Sequence, residues 1–136
     1  MQNRAAKLTA IQKIEMMDIP MPVCGDNDVL VKVGHVGICG SDIHYFQDGC
    51  LGTRQVVFPG ILGHECGGEV VEAGRSVKHL KPGDLVAIEP GVPCGTCEFC
   101  KGGRYNLCWD MDFYSCPPRD GLMLRYINFP AHFSVA

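Results

Sequence analysis

The sequence predicts a mainly β fold with few short helices, in which short strands close into a barrel or a related sheet. Three observations support this fold class. Glycine occurs 17 times and proline 9 times in 136 residues, which divides the chain into short segments. The apolar segments are rich in β-branched residues, and none sustains a helical period of about 3.6 residues. Many short strands joined by glycine- and proline-containing turns are typical of barrels and closed sheets.

The expected strands follow one another as short apolar segments. They are 6–11, 28–36, 67–74, 84–90, 124–129 and 131–135. The third and fourth are joined by the turn 81–84, in which Pro82 and Gly83 occupy the turn positions. One short helix is expected over 41–46, with Ser41 as its N-cap.

Composition bounds the kind of protein. The chain is 46% hydrophobic and 20% charged with a formal net charge of -3, which is typical of a soluble globular domain. A slightly acidic chain without a block of Lys or Arg gives no reason to expect nucleic acid or an anionic membrane as a partner. The chain contains no run of about 18 apolar residues, so we expect no membrane-spanning helix. The first twenty residues lack the apolar core of a signal peptide, so we expect a cytoplasmic protein.

The nine cysteines are interpreted in that light. Cytosolic thiols are kept reduced, so clustered cysteines there bind metal more often than they form disulfides. Four of them, spaced C-x2-C-x2-C-x7-C, lie in the segment 91–108: Cys94, Cys97, Cys100 and Cys108. This spacing predicts a tetrahedral zinc site, and because protein ligands would fill all four positions the site would be structural. A disulfide with free thiols and an iron–sulfur cluster are the alternatives.

A second group of metal-binding residues lies upstream. Cys39 offers a thiolate, and the adjacent His64 and Glu65 offer an imidazole and a carboxylate. Spacing alone predicts a metal site only weakly here, because a free cysteine is usually a small buried apolar residue. A histidine beside a glutamate is more often a pair of surface residues than a metal site.

The whole pattern resembles a known family. The segment 63–77 matches the zinc alcohol dehydrogenase signature G-H-E-x2-G-x5-G-x2-V at Gly63, His64, Glu65, Gly68, Gly74 and Val77. "GICGSD" and the four-cysteine segment stand where zinc-containing medium-chain dehydrogenases carry them. "GRYNLC" and "PPRDG" are most similar to the sorbitol/xylitol (L-iditol 2-) branch, the polyol dehydrogenases.

This resemblance implies a GroES-like catalytic domain over 1–136 with a second, catalytic zinc. Cys39, His64 and Glu65 would be its ligands, and the fourth position would take water or a substrate hydroxyl. The zinc would act as a Lewis acid during hydride transfer to NAD or NADP. The implied substrate is a polyol or a secondary alcohol, and the implied full-length protein is a homo-oligomer.

The resemblance also suggests roles for neighbouring residues. Ser41 would accept the alcohol proton, or would only cap a helix. Asp42 would orient the ligand histidine, or would be a solvent-facing acid. His44 matches a proton-relay position. Tyr45 and Phe113 match aromatic residues of the substrate pocket, and either could instead belong to the core.

The family pattern is incomplete in these residues. No G-x-G-x-x-G phosphate loop occurs in them, so we expect a partial catalytic domain, without the Rossmann domain and the returning C-terminal segment, that binds zinc but does not oxidise alcohols alone. The polyol branch usually has "ATPP" where this chain has Ser-Cys-Pro-Pro at 115–118, and His-Pro-Ala where it has Phe-Pro-Ala at 129–131. Because of these differences the resemblance does not specify which polyol is the substrate. Alternatives are a threonine or general alcohol dehydrogenase domain and a non-catalytic zinc-held β-barrel that binds a partner. Such a barrel would bind one zinc, whereas the dehydrogenase domain would bind two.

Overall fold

The computed structural model describes residues 1–136 and consists mainly of strands. The strands are β1 Asn3–Ala10, β2 Lys13–Ile19, β3 Asp28–Gly37, β4 Cys50–Leu51, β5 Arg54–Gln55, β6 Gly60–Ile61, β7 Glu65–Ala73, β8 Leu85–Ile88, β9 Gly91–Val92, β10 Asp112–Phe113, β11 Tyr126–Pro130 and β12 Ser134–Val135. The helices are α1 Gly40–Asp48 and α2 Glu98–Lys101, with 3-10 turns at Tyr105–Leu107 and Ala131–Phe133. No helix has both the length and the apolar character needed to span a bilayer. The mainly β prediction is confirmed.

The main sheet has five antiparallel strands in the order β11-β3-β7-β8-β12. β3 and β7 form its centre and pair along almost their whole length, from Val29 with Ala73 to Gly37 with Glu65. Two register shifts bend this pair, one of them between Val33 and His35. Because β3 and β7 are adjacent, the end of β3 and the start of β7 lie side by side.

The core lies against one face of this sheet. Its fully buried side chains come from strands β3, β7 and β11 and from the segment before β11: Val29, Val31, Val70, Leu122 and Phe129. Tyr114 packs on Phe129 with ring centroids 4.9 Å apart. A second, smaller cluster of Leu8, Tyr45, Val56 and Leu62 lies beneath α1. The short apolar segments of the sequence thus supply the core, as expected for β structure.

The first hairpin is larger than predicted. A strand was predicted over 6–11 only, whereas β1 pairs with β2 and also with β6. The strand β2 was missed because its alternation of polar and apolar residues breaks between Met16 and Met17, and six of its seven residues are exposed. Gln12 at the hairpin turn has a positive φ of 59°, which a sequence pattern does not reveal.

One other prediction of local structure was wrong, and a second was right only at Ser134–Val135. Ser41 is not the N-cap, because α1 begins at Gly40 and Cys39 occupies the cap position. The segment 131–135 is a 3-10 turn followed by a strand of two residues. The turn 81–84 is confirmed: Gly83 has a φ of 95°, and the Asp84 amide donates to the Lys81 carbonyl at 3.1 Å.

Candidate metal centre

Three potential metal ligands converge where β3 meets β7. Cys39 follows β3 and precedes α1, whereas His64 and Glu65 lie at the start of β7. Their ligand atoms all lie within 4.8 Å of one another. The sheet produces this convergence, because Gly37, two residues before Cys39, is the register partner of Glu65. The structure therefore brings together the three residues that the sequence analysis grouped.

The buried carboxylate of Asp42 joins the two segments that carry these ligands. Only 3% of Asp42 is exposed. Its Oδ2 accepts a hydrogen bond from the Cys39 amide at 3.0 Å, and its Oδ1 accepts one from the Gly63 amide at 3.0 Å. A buried carboxylate needs such donors to offset the loss of water. Asp42 is therefore not the solvent-facing acid that was the alternative.

The same carboxylate lies beside the histidine. Asp42 Oδ1 is 3.9 Å from His64 Nδ1. That separation is longer than a hydrogen bond. It nevertheless puts the Asp42 carboxylate on the Nδ1 side of the His64 ring. A carboxylate beside the second ring nitrogen of a ligand histidine is common in metal sites.

Gly37 provides room for the third ligand. A Cβ placed on Gly37 would collide with the Glu65 carboxylate and would lie 3.0 Å from the Glu65 Cβ. The sequence analysis did not single out Gly37. Its signal is a glycine at the end of a strand, which often marks the close approach of another group.

The donor set fits a divalent zinc ion. Thiolate sulfur, imidazole nitrogen and carboxylate oxygen are all zinc ligands, and three protein ligands leave one coordination position open. A thiolate and a carboxylate together balance the charge of a divalent cation, so the loaded centre would be formally neutral. Such a centre can bind and polarise a small oxygen ligand.

The aromatic ring of Phe113 borders this centre. Its ring centroid lies 5.8 Å from that of His64, with the planes at 55°. Phe113 also lines a cavity of about 550 Å³. The largest cavity, about 710 Å³, lies on the sheet face formed by β3, β7, β8 and β12, and the three potential ligands line neither cavity. Since the smaller cavity shares Phe113 with the centre, it is the better candidate for a substrate pocket.

The remaining predicted residues have different surroundings. Ser41 is partly buried in the first turn of α1, two residues after Cys39. The His44 side chain is 57% exposed, and its Nδ1 lies 3.4 Å from Oδ2 of Asp48. Tyr45 is only 3% exposed and belongs to the small core cluster, and burial raises the pKa of its hydroxyl. Their proposed roles in catalysis stay predictions.

The four cysteines of 91–108 form a second cluster. All four sulfurs lie within 4.8 Å of one another. Sγ of Cys100 is 3.4 Å from Sγ of Cys97 and 4.0 Å from Sγ of Cys94. Sulfurs about 2.3 Å from a central zinc in a tetrahedron would be about 3.8 Å apart, so these separations fit a tetrahedral ion. No disulfide is formed by any of the nine cysteines.

The protonation of this cluster shows why it suits a cation. The Thr96 hydroxyl and nearby backbone amides lower the pKa of the Cys94 thiol to about 6. Desolvation and the neighbouring thiol of Cys97 raise the pKa of Cys100 to about 12. Cys100 is thus the thiol whose ionisation its surroundings oppose, and a bound cation would remove that opposition.

Comparison with known proteins decides the family. The family model described as the alcohol dehydrogenase GroES-like domain matches residues 25–136. The chain belongs to this family. The GroES-like fold that the sequence analysis expected is confirmed.

Two curated relatives of this GroES-like domain act on polyols or related sugars by name. Sorbitol dehydrogenase of Bacillus subtilis (strain 168) is 48% identical over 130 residues, which cover 96% of this chain and 37% of the relative. D-xylulose reductase A of Aspergillus niger is 46% identical over 133 residues, 97% of this chain and 37% of the relative. The resemblance to the polyol dehydrogenase branch is confirmed. The chain spans little more than a third of the length of these relatives.

Solved structures agree with this GroES-like assignment. An oxidoreductase of unknown specificity from Escherichia coli matches with a TM-score of 0.86 and 40% identity, over 99% of this chain and 40% of that one. A dehydrogenase of Sinorhizobium meliloti 1021, assigned as zinc-binding and bound to NADP, matches with a TM-score of 0.81 and 34% identity, over 98% of this chain and 38% of that one. The domain is therefore of the kind that zinc-dependent dehydrogenases use.

Proposed function

We propose that this GroES-like domain carries the catalytic zinc centre of an NAD(P)-dependent dehydrogenase that acts on a polyol or another secondary alcohol. The observation that carries the proposal is the convergence of Cys39, His64 and Glu65 within 4.8 Å of one another. The buried Asp42 fixes both chain segments that supply them. The polyol dehydrogenase relatives support the substrate class.

The ligand residues would hold the ion and set its charge. Zinc bound here would supply a Lewis acid that lowers the pKa of a coordinating hydroxyl. The Cys39 thiolate and the Glu65 carboxylate would bring the site to formal neutrality, and Asp42 beside Nδ1 would keep the His64 ring oriented.

The residues around the centre would take up the substrate proton and exclude water. Ser41, two residues after Cys39 in the first turn of α1, would accept the proton that leaves the substrate hydroxyl and would pass its own hydroxyl proton on to solvent. The Phe113 ring would exclude water on the side of His64. The hydride would pass to the nicotinamide of NAD or NADP, which carries the electron pair.

Metal stoichiometry tests this proposal against the binding-module alternative. The wild-type chain should bind two zinc ions, and His64→Ala or Cys39→Ala should bind one. Cys24→Ala is the matched control, because Cys24 belongs to neither cluster, and it should still bind two. Elemental analysis of the dialysed protein gives the count. One zinc in the wild type, unchanged in His64→Ala, would support the non-catalytic barrel instead.

A further inference from the structure

A cavity with two arginines adjoins the candidate metal centre. It has a volume of about 550 Å³ and is lined by Arg54, Met111, Asp112, Phe113, Cys116, Pro118 and Arg119. That volume lies within the range of small-molecule sites, about 300–1,000 Å³. Phe113 connects the cavity to the centre, because its ring also contacts the His64 ring at 5.8 Å. A ligand that occupied both would place one end near the metal ligands and the other near the arginines.

One of the two arginines is already partly neutralised. Arg119 Nε lies 3.2 Å from Asp112 Oδ1. Its guanidinium also stacks on the Tyr114 ring, with Cζ 4.0 Å from the ring centroid. These two contacts fix the planar group at the wall of the cavity. Asp112 is the only carboxylate among the lining residues, so it offsets one of the two positive charges.

Arg54 supplies the charge that is left over. It is exposed on the short strand β5 and forms no salt bridge. Burial raises the pKa of the Tyr45 hydroxyl in α1, and the positive charge of Arg54 opposes that rise. Among the side chains that line the cavity, Arg54 and Arg119 are positive and Asp112 is negative. The lining therefore has a surplus of one positive charge, located at Arg54.

We propose that this cavity selects an anionic polyol, one whose far end is a carboxylate or a phosphate monoester that pairs with Arg54 while a hydroxyl group faces the metal centre. This inference rests on the proposed function and narrows its substrate class. The planar guanidinium of arginine matches both anions by paired hydrogen bonds. A neutral polyol would leave the surplus charge without a counterpart. Arg54 is then a specificity-determining residue, with Arg119 in support.

Binding to the zinc-loaded chain tests the proposal. The ligands are D-sorbitol, D-gluconate and D-sorbitol 6-phosphate, titrated by calorimetry with the zinc content of each sample measured in parallel. At least one anion should bind about tenfold more tightly than sorbitol, as expected for one charged hydrogen-bonded pair. The two anions separate the sources of the charge: preference for gluconate identifies a sugar acid, and preference for the phosphate identifies a phosphorylated polyol.

Variants locate the effect. Arg54→Gln should abolish the preference for the anion and leave the affinity for sorbitol within about twofold. Arg75→Gln is the matched control, because Arg75 is exposed and pairs with Asp26 outside the cavity, and it should keep the preference. Arg54 is exposed, so its substitution leaves the core intact.

Several outcomes would overturn the inference. They are equal affinities for all three ligands, binding of neither anion, or an anion preference that persists in Arg54→Gln. If any of these occurs in a sample with two zinc ions per chain, the inference fails and the proposed function stands. A wild-type chain that never binds the second zinc contradicts the proposed function itself.

Discussion

Asp42 and Gly63 are 21 positions apart in the chain, yet the Asp42 carboxylate accepts the Gly63 amide hydrogen at 3.0 Å next to His64. The other carboxylate oxygen accepts the Cys39 amide at the same distance. One buried side chain thereby sets the separation between a thiol ligand and an imidazole ligand. The geometry of the candidate centre depends on a residue that would not touch the metal.

Asp42→Asn tests this dependence. The amide keeps the shape of the carboxylate but presents an NH2 group to one of the two backbone donors, so one hydrogen bond is lost. We expect the affinity of the Cys39–His64–Glu65 site for zinc to fall about 10- to 100-fold, the usual effect of removing a partner of a ligand histidine. Competition with a chromogenic chelator measures this affinity. Asp48→Asn, at the exposed end of α1, is the control and should bind like the wild type.

Gly37→Ala tests the position of the third ligand. A Cβ at Gly37 would collide with the Glu65 carboxylate, whereas a Cβ at Gly40 would meet no atom within 4 Å. We expect Gly37→Ala to lose zinc from this site and to keep it in the four-cysteine cluster. Gly40→Ala should keep both ions by elemental analysis. Two zinc ions in Gly37→Ala would show that Glu65 is not needed as a ligand or can rearrange.

Gly68→Ala tests the close approach of β7 to β3. A Cβ at Gly68 would collide with the Lys32 carbonyl and lie 2.8 Å from Val31 Cγ1, whereas a Cβ at the neighbouring Gly67 would lie 3.5 Å from the Val86 carbonyl. We expect Gly68→Ala to lower the free energy of unfolding by about 1–3 kcal/mol, the usual range for overpacking. Gly67→Ala should lower it by less. Urea denaturation of both variants gives the comparison, and equal losses would contradict the contact.

Alkylation with iodoacetamide tests the states of the thiols. Cys66 is 6% exposed, and burial raises the pKa of its thiol from 9.0 to about 11. At pH 8 its thiolate fraction should be about a hundredfold lower than that of an ordinary cysteine, so it should react slowly. We expect the four cysteines of 91–108 to be protected in the zinc-loaded chain and to react after chelation. Mass spectrometry assigns each site, and rapid labelling of Cys66 would contradict its burial.

The sequence predicted the features of the candidate centre that depend on the types of residue and on their spacing along the chain. The four closely spaced cysteines, and the family resemblance at Cys39, His64 and Glu65, predicted two groups of potential metal ligands, and the structure brings each group together. Several apolar strands were also predicted. By contrast, β2 was missed, because six of its seven residues are exposed and its alternation of polar and apolar residues breaks between Met16 and Met17.

Contacts between distant segments were not predictable in the same way. The bond from Gly63 to Asp42 and the fit of Glu65 over Gly37 depend on the register of β3 with β7, which no local pattern specifies. The place of Arg54 beside Phe113 depends on the course of the segment between α1 and β7. Such features follow from the folded chain as a whole.

The pairing of β9 with β10 puts Gly91 opposite Phe113. Residues 93–111 therefore leave this two-stranded sheet, wrap the four sulfurs and return to it. Oxidation of those sulfurs, or loss of the ion that they would bind, would loosen this segment and allow the Phe113 ring to move away from the His64 ring. Under the proposed function, substrate binding would then weaken although Cys39, His64 and Glu65 were chemically unchanged. Damage at the four-cysteine cluster would therefore resemble the loss of a catalytic residue.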